Sequence, residues 1–236
     1  TEIYTRLSSA ASDVYKRQLI SLAMASALKL TPAVLGILLL YNKQWKEAIR
    51  TVIYGLILGM VPFLFFHGGL VNIGRMFHNA ALNVQAYSST EGTTIVAALV
   101  AFGVNATDGM IKIVKCITYV IVLLLFIQCL FYKEKWEVIM AVSMVLIIAP
   151  SHSGYYCIMY LIPAAIAFLN AKEHSYSDLL ILFSIILIVM DFQCDLFEYV
   201  LNYHLAIMLI LAVLLIRGFV RMYDVIKHKS DNSMAK

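Results

Sequence analysis

The chain has 236 residues, of which 62% are hydrophobic and 14% charged, and its formal net charge is +4. Soluble domains sit nearer roughly 45–50% apolar and 25% charged, so an ordinary soluble globular domain is excluded. The apolar residues fall in blocks of roughly 14–23 residues without the polar face of a surface helix, as bilayer-spanning helices require. The few basic residues sit mostly between blocks, where they speak to membrane orientation and not to nucleic acid.

In chain order, residues 1–18 read TEIYTRLSSAASDVYKRQ. The part SSAASDVYKRQ resembles a translated sequencing-adaptor run. The expectation is a non-native leader over 1–18, native sequence from Leu19, and a chain that is the carboxyl-terminal part of a longer protein. Apolar blocks follow at 19–41, 48–66, 110–131, 136–150, 156–169, 177–190 and 200–220. They predict an all-α polytopic membrane domain over 19–220 with about seven transmembrane helices, followed by a basic tail over 221–236. Three blocks are short for a bilayer core of about 30 Å, and are completed by polar ends, local thinning or a re-entrant path.

Within the first block, Lys29 stands in ALKLTPAV, with Pro32 three residues on. A buried membrane lysine calls for a polar cavity or an anion, and the proline kinks or opens the helix. The long loop 67–109 carries Leu70, Ile73, Phe77, Ala80, Ala81 and Val84 at helical spacing, with Arg75, His78, Asn79 and Gln85 mainly off that stripe. This pattern predicts a helix lying in the membrane interface. A second apolar stretch there, 93–104, is too short to span.

Charge sets the expected orientation. Lys43, Lys46 and Arg50, then Lys133 and Lys135, then Lys172, then Arg217, Arg221, Lys227, Lys229 and Lys236 mark alternate connections. The positive-inside rule places these, and the carboxyl end, in the cytoplasm. Lys112 and Lys115, near the outer end of the third block, are the exceptions. The run APSHSGYY then becomes an outer turn offering Ser151, His152, Ser153, Tyr155 and Tyr156 at the membrane surface, where hydroxyls and an imidazole can bind a phosphate or a sugar. The outer carboxylates Glu91, Asp108, Asp191, Asp195 and Glu198 form no arrangement that identifies a general base. No phosphate-binding loop, dinucleotide fingerprint or metalloprotease motif occurs. The four cysteines form no CxxC pair and read as thiols. No metal and no cofactor are expected.

Three stretches together resemble one family. SALKLTPAVLGILLLYNKQWKEAIRTVIYGLILGMVPFLFF resembles the lysine–proline helix and basic tryptophan loop of bacterial family-87 (DUF2029-type) glycosyltransferases of the GT-C fold. FHGGLVNIGRMFHNAALNVQAYSS is similar to the amphipathic outer segment that follows in that family, and IIAPSHSGYYCIMYLIPAAIAFLN to its later proline–serine hairpin. The resemblance implies a multi-pass protein of the bacterial cytoplasmic membrane. It would transfer a sugar from a polyprenyl-phosphate donor to an envelope glycan or glycolipid acceptor on the outer face. An acceptor hydroxyl attacks the anomeric carbon with a carboxylate as general base, while cationic and hydrogen-bonding groups hold the leaving phosphate. Lys29, Arg75, His152 and Tyr155 are the positions expected to contact donor phosphate or sugar. Two departures stand out. The family's catalytic aspartate lies in a first outer loop near the amino end, so this chain alone is expected to be inactive. Many members also carry a tryptophan–histidine pair in the late hairpin, where this chain has Ser153, Gly154, Tyr155 and Tyr156. The competing readings are a polysaccharide polymerase or other envelope-assembly protein, a transporter, and a non-catalytic scaffold. A polymerase would carry arginine-rich outer loops, and a transporter internal repeats.

Overall fold

In a computed structural model the described residues are 16–29, 31–86, 92–150, 154–189 and 202–234, and they are helical with no sheet. The chain forms two compact units, Thr1–Asn83 and Val84–Lys236.

The first unit opens with α1 over residues 16–28. A 3-10 segment, Thr31–Gly36, leads directly into α2, Ile37–Tyr41. The first apolar block is thus a broken helix. The break falls at Lys29, ahead of Pro32, as proline's missing N–H and its steric effect on the preceding turn require. Helix α3, Trp45–Phe65, has 21 residues and crosses a bilayer by length and composition. It approaches α1 through small residues: a Cβ on Gly55 would lie 3.7 Å from the Ala23 carbonyl oxygen, and one on Gly59 would lie 3.8 Å from the Ala27 Cβ. Small residues four apart on both helices let the backbones come close, which is how helices associate where lipid removes the hydrophobic driving force. Lys43, at φ 58° between α2 and α3, takes the left-handed conformation that tight turns demand. After Gly68 and Gly69, both at positive φ, α4 runs over Val71–Ala86. This is the helix predicted from the stripe in the long loop.

The second unit contains α5 (Ile95–Ala101), α6 (Asp108–Cys129), α7 (Lys135–Ile148), a 3-10 turn (Tyr155–Tyr160), α8 (Leu161–Leu169), α9 (Asp178–Val189) and α10 (Asn202–Met234). Thr94 and Thr107 cap α5 and α6, their hydroxyl oxygens accepting from the Ala97 and Met110 amides. The centre of the unit is α7. From Val138 to Ile148 its side chains are buried except at one half-buried position, and the helix touches α6, α8 and α10. It is apolar on every side because it is surrounded by protein. Its 14 residues span about 21 Å, short of a bilayer. Of the described helices, three are long and apolar enough to cross a membrane: α3, α6 and the stretch Asn202–Lys227 of α10. The shorter blocks are the core helix α7 and the short apolar helices α8 and α9. Helix α10 continues fourteen residues past Val220 to Met234. The basic stretch expected as a tail is therefore helical over most of its length.

Candidate functional site

One end of the second unit is built from ionic contacts. Arg217, on α10, donates through Nη1 to Glu137 Oε1 at 3.1 Å. Its Nη2 reaches Asp178 Oδ1 and the hydroxyls of Ser175 and Ser177. Glu137 has no exposed surface, and its second oxygen accepts from the Lys133 and Glu134 amides at 3.1 Å each, closing the first turn of α7. Asp178 Oδ2 accepts from the Ser175 amide at 2.7 Å and lies 3.5 Å from His174 Nδ1. The Arg217 guanidinium also sits 5.2 Å over the Trp136 ring, which packs edge-on against Phe168. One turn away, Tyr132 Oη donates to the Leu214 carbonyl, and Gln128 Nε2 donates to that of Leu215. Three connections that the charge rule assigns to one side, around 133, 172 and 217, thus meet at one end of the fold. The Arg217, Glu137 and Asp178 charges are all paired within the unit, so this network ties the fold together.

The opposite end of α6 and α7 is different. There an open cleft lies between the start of α5, the first half of α6 and the end of α7. Its interior space is about 10 Å³, roughly enough for one water. Ile95, Val96, Ile148, Ala149 and Pro150 give it apolar walls; Thr94, Lys115, Thr118 and Tyr119 give it polarity. Thr118 Oγ1 donates back to the Val114 carbonyl at 2.8 Å, leaving its lone pairs as acceptors. Lys115 is half-buried, and no described acid forms an ion pair with it. A charge inside a membrane helix costs up to about 2.5–3.5 kcal/mol on insertion scales. That penalty is reduced where the lysine faces a cleft with hydroxyl groups instead of lipid.

The four positions expected to contact donor are placed unevenly. Lys29 lies exposed in the break after α1, its amide bonded to the Ala25 carbonyl at 2.9 Å. Arg75 lies exposed on α4, with Nη1 3.4 Å from Asn72 Oδ1. Both belong to the first unit. His152 lies outside the described residues, as do Ser151 and Ser153. Tyr155 begins the 3-10 turn after Gly154, in the second unit. Among the outer carboxylates, Asp108 opens α6 exposed, and Glu91, Asp191, Asp195 and Glu198 lie outside the described residues. Of the cysteines, Cys116, Cys129 and Cys157 are free thiols, and Cys194 lies outside the described residues. Among the described residues no cluster of metal-ligating side chains occurs. Sequence reasoning missed Lys115 as a site residue. The signal was present, since this lysine breaks the charge rule on the side where cations are scarce.

No curated protein and no solved structure matches the chain. The sequence profile of glycosyltransferase family 87 matches residues 19–151, more than half of its length. That span runs from α1 through the end of α7 and includes the broken lysine–proline helix, helix α4 and the walls of the cleft. An all-helical membrane protein with this match belongs to glycosyltransferase family 87.

Proposed function

We propose that the protein transfers a sugar from a polyprenyl-phosphate donor to a glycan or glycolipid acceptor on the outer face of the bacterial cytoplasmic membrane. The observation that carries this reading is the family match over 19–151, laid on helices that cross a bilayer. A transferase working inside a membrane needs a donor soluble in that membrane, and a polyprenyl chain supplies it. The leaving group is then a phosphate, which Lys29, Arg75, His152 and Tyr155 contact through charge and hydrogen bonds. Family membership favours a transferase over a polymerase, a transporter or a scaffold. The cytoplasmic carboxyl end follows from the lysines and arginines on alternate connections.

The test is transfer by membranes expressing the intact reading frame, supplied with radiolabelled sugar either on polyprenyl phosphate or on a nucleotide. Label should enter a lipid or glycan product from the polyprenyl donor without added nucleotide sugar. Transfer from the nucleotide sugar alone, in membranes lacking polyprenyl-phosphate sugar synthesis, would contradict the reading. Alanine at Lys29 or His152 should lower turnover; unchanged turnover would remove that residue from the donor site.

A further inference from the structure

The cleft in the second unit holds a cation, Lys115, that no acid among the described residues neutralises. Lys115 is the eighth residue of α6, about 10 Å along an axis of about 33 Å. Lys112, one turn nearer the helix start, is exposed, whereas Lys115 lines the cleft beside Ile95, Val96, Ile148 and Pro150. Asp108, in the first turn of α6, is two turns away and makes no ion pair with it. A half-buried ammonium at the mouth of a cleft with apolar walls attracts an anion more strongly than it would in solution. The exposed side chains of Tyr119 and Leu123, one and two turns further along α6, favour an anion that carries a hydrocarbon chain over a free one.

We infer that Lys115 binds the phosphate of a lipid-borne phosphate ester at the mouth of this cleft, with the hydrocarbon chain lying along Tyr119 and Leu123 of α6. The inference rests on the proposed function, in which that ester is the polyprenyl-phosphate donor, and adds to it a residue and a place. The cleft interior holds only about one water, so the phosphate sits at its opening beside Lys115 and Tyr119. The same chemistry could be met by a phospholipid headgroup or by inorganic phosphate, and the experiment separates these sources.

The protein is reconstituted in nanodiscs of neutral phosphatidylcholine, and binding of radiolabelled polyprenyl phosphate is measured for wild type, Lys115→Gln, Lys115→Met, Lys115→Arg and Lys112→Gln. Unlabelled inorganic phosphate and phosphatidylglycerol serve as competitors. Wild type and Lys112→Gln should bind alike, Lys115→Arg within about threefold, and the two neutral variants at least about tenfold more weakly. Neither competitor should displace the label at equal concentration. The Met variant keeps the apolar stem, so it reports on charge even if Gln disturbs the fold. Equal binding by wild type and the folded neutral variants would overturn the role of Lys115 while leaving the donor reading intact. Displacement by inorganic phosphate would show a free-anion site, and displacement by phosphatidylglycerol a general lipid site; either overturns the donor assignment of the cleft. No polyprenyl phosphate binding by folded wild type would sink both the inference and the donor reading.

Discussion

At one end of the second unit Arg217 is shared between Glu137 and Asp178 against a tryptophan ring; at the other, Lys115 lines a cleft with no described acid bound to it. Both are cations on helices long and apolar enough to cross a bilayer, and both are half-buried. The difference is what each one faces. A half-buried charge with two carboxylates and several hydroxyls is consumed by the fold, and its removal leaves its partners stranded. A half-buried charge that no described acid pairs is left over for a ligand. The pairing of charges, more than their depth, separates structural ionic groups from binding groups here.

The comparison can be broken at several points. The largest effect should come from Arg217→Leu, which leaves Glu137 and Asp178 without their cation; a loss of about 3–5 kcal/mol is expected, read as a lower unfolding midpoint in detergent. Near-wild-type stability would mean that this network does not tie the unit together. Next comes Gly218→Leu. A Cβ at Gly218 would collide with the Gln128 side chain, so the Gln128 bond to Leu215 must give way. About 1–3 kcal/mol should be lost by overpacking, checked in the same unfolding assay. Smallest is Lys115→Gln, which should change stability by less than about 0.5 kcal/mol yet lower transfer from a polyprenyl-phosphate sugar. Should this variant destabilise the protein as much as Arg217→Leu, Lys115 would belong with the structural charges and the contrast would vanish.

Much of the fold was legible in the residues. The seven apolar blocks each contain helix, because an apolar run of that length has few other ways to satisfy its backbone in a membrane. The break before Pro32 and the helix α4 followed from proline sterics and from helical spacing. The continuation of α10 to Met234 did not, since a polar helical extension leaves no mark in an apolar block. Nor did the Arg217 network, whose partners lie 80 and 39 residues away in sequence. Periodicity reports which way a side chain faces within one helix and nothing about which distant helix it meets. The buried character of α7 was half visible: a short block with no polar face fits a core helix as well as a thin membrane span. For the site, sequence pointed to residues by type and flagged Lys115 only as an exception to a rule about loops. The cleft that gives that exception a meaning needs three helices brought together.

The account depends most on the two ends of the second unit lying on opposite faces of the membrane, with the cleft outside. Asn105, exposed before α6, and Lys172, exposed between α8 and α9, mark those ends. In cells carrying Asn105→Cys or Lys172→Cys, with Cys116 and Cys194 replaced by serine, a membrane-impermeant maleimide should label Asn105→Cys from outside and Lys172→Cys only after the membrane is opened. Labelling in the reverse order would put the cleft in the cytoplasm and contradict an outer-face transferase.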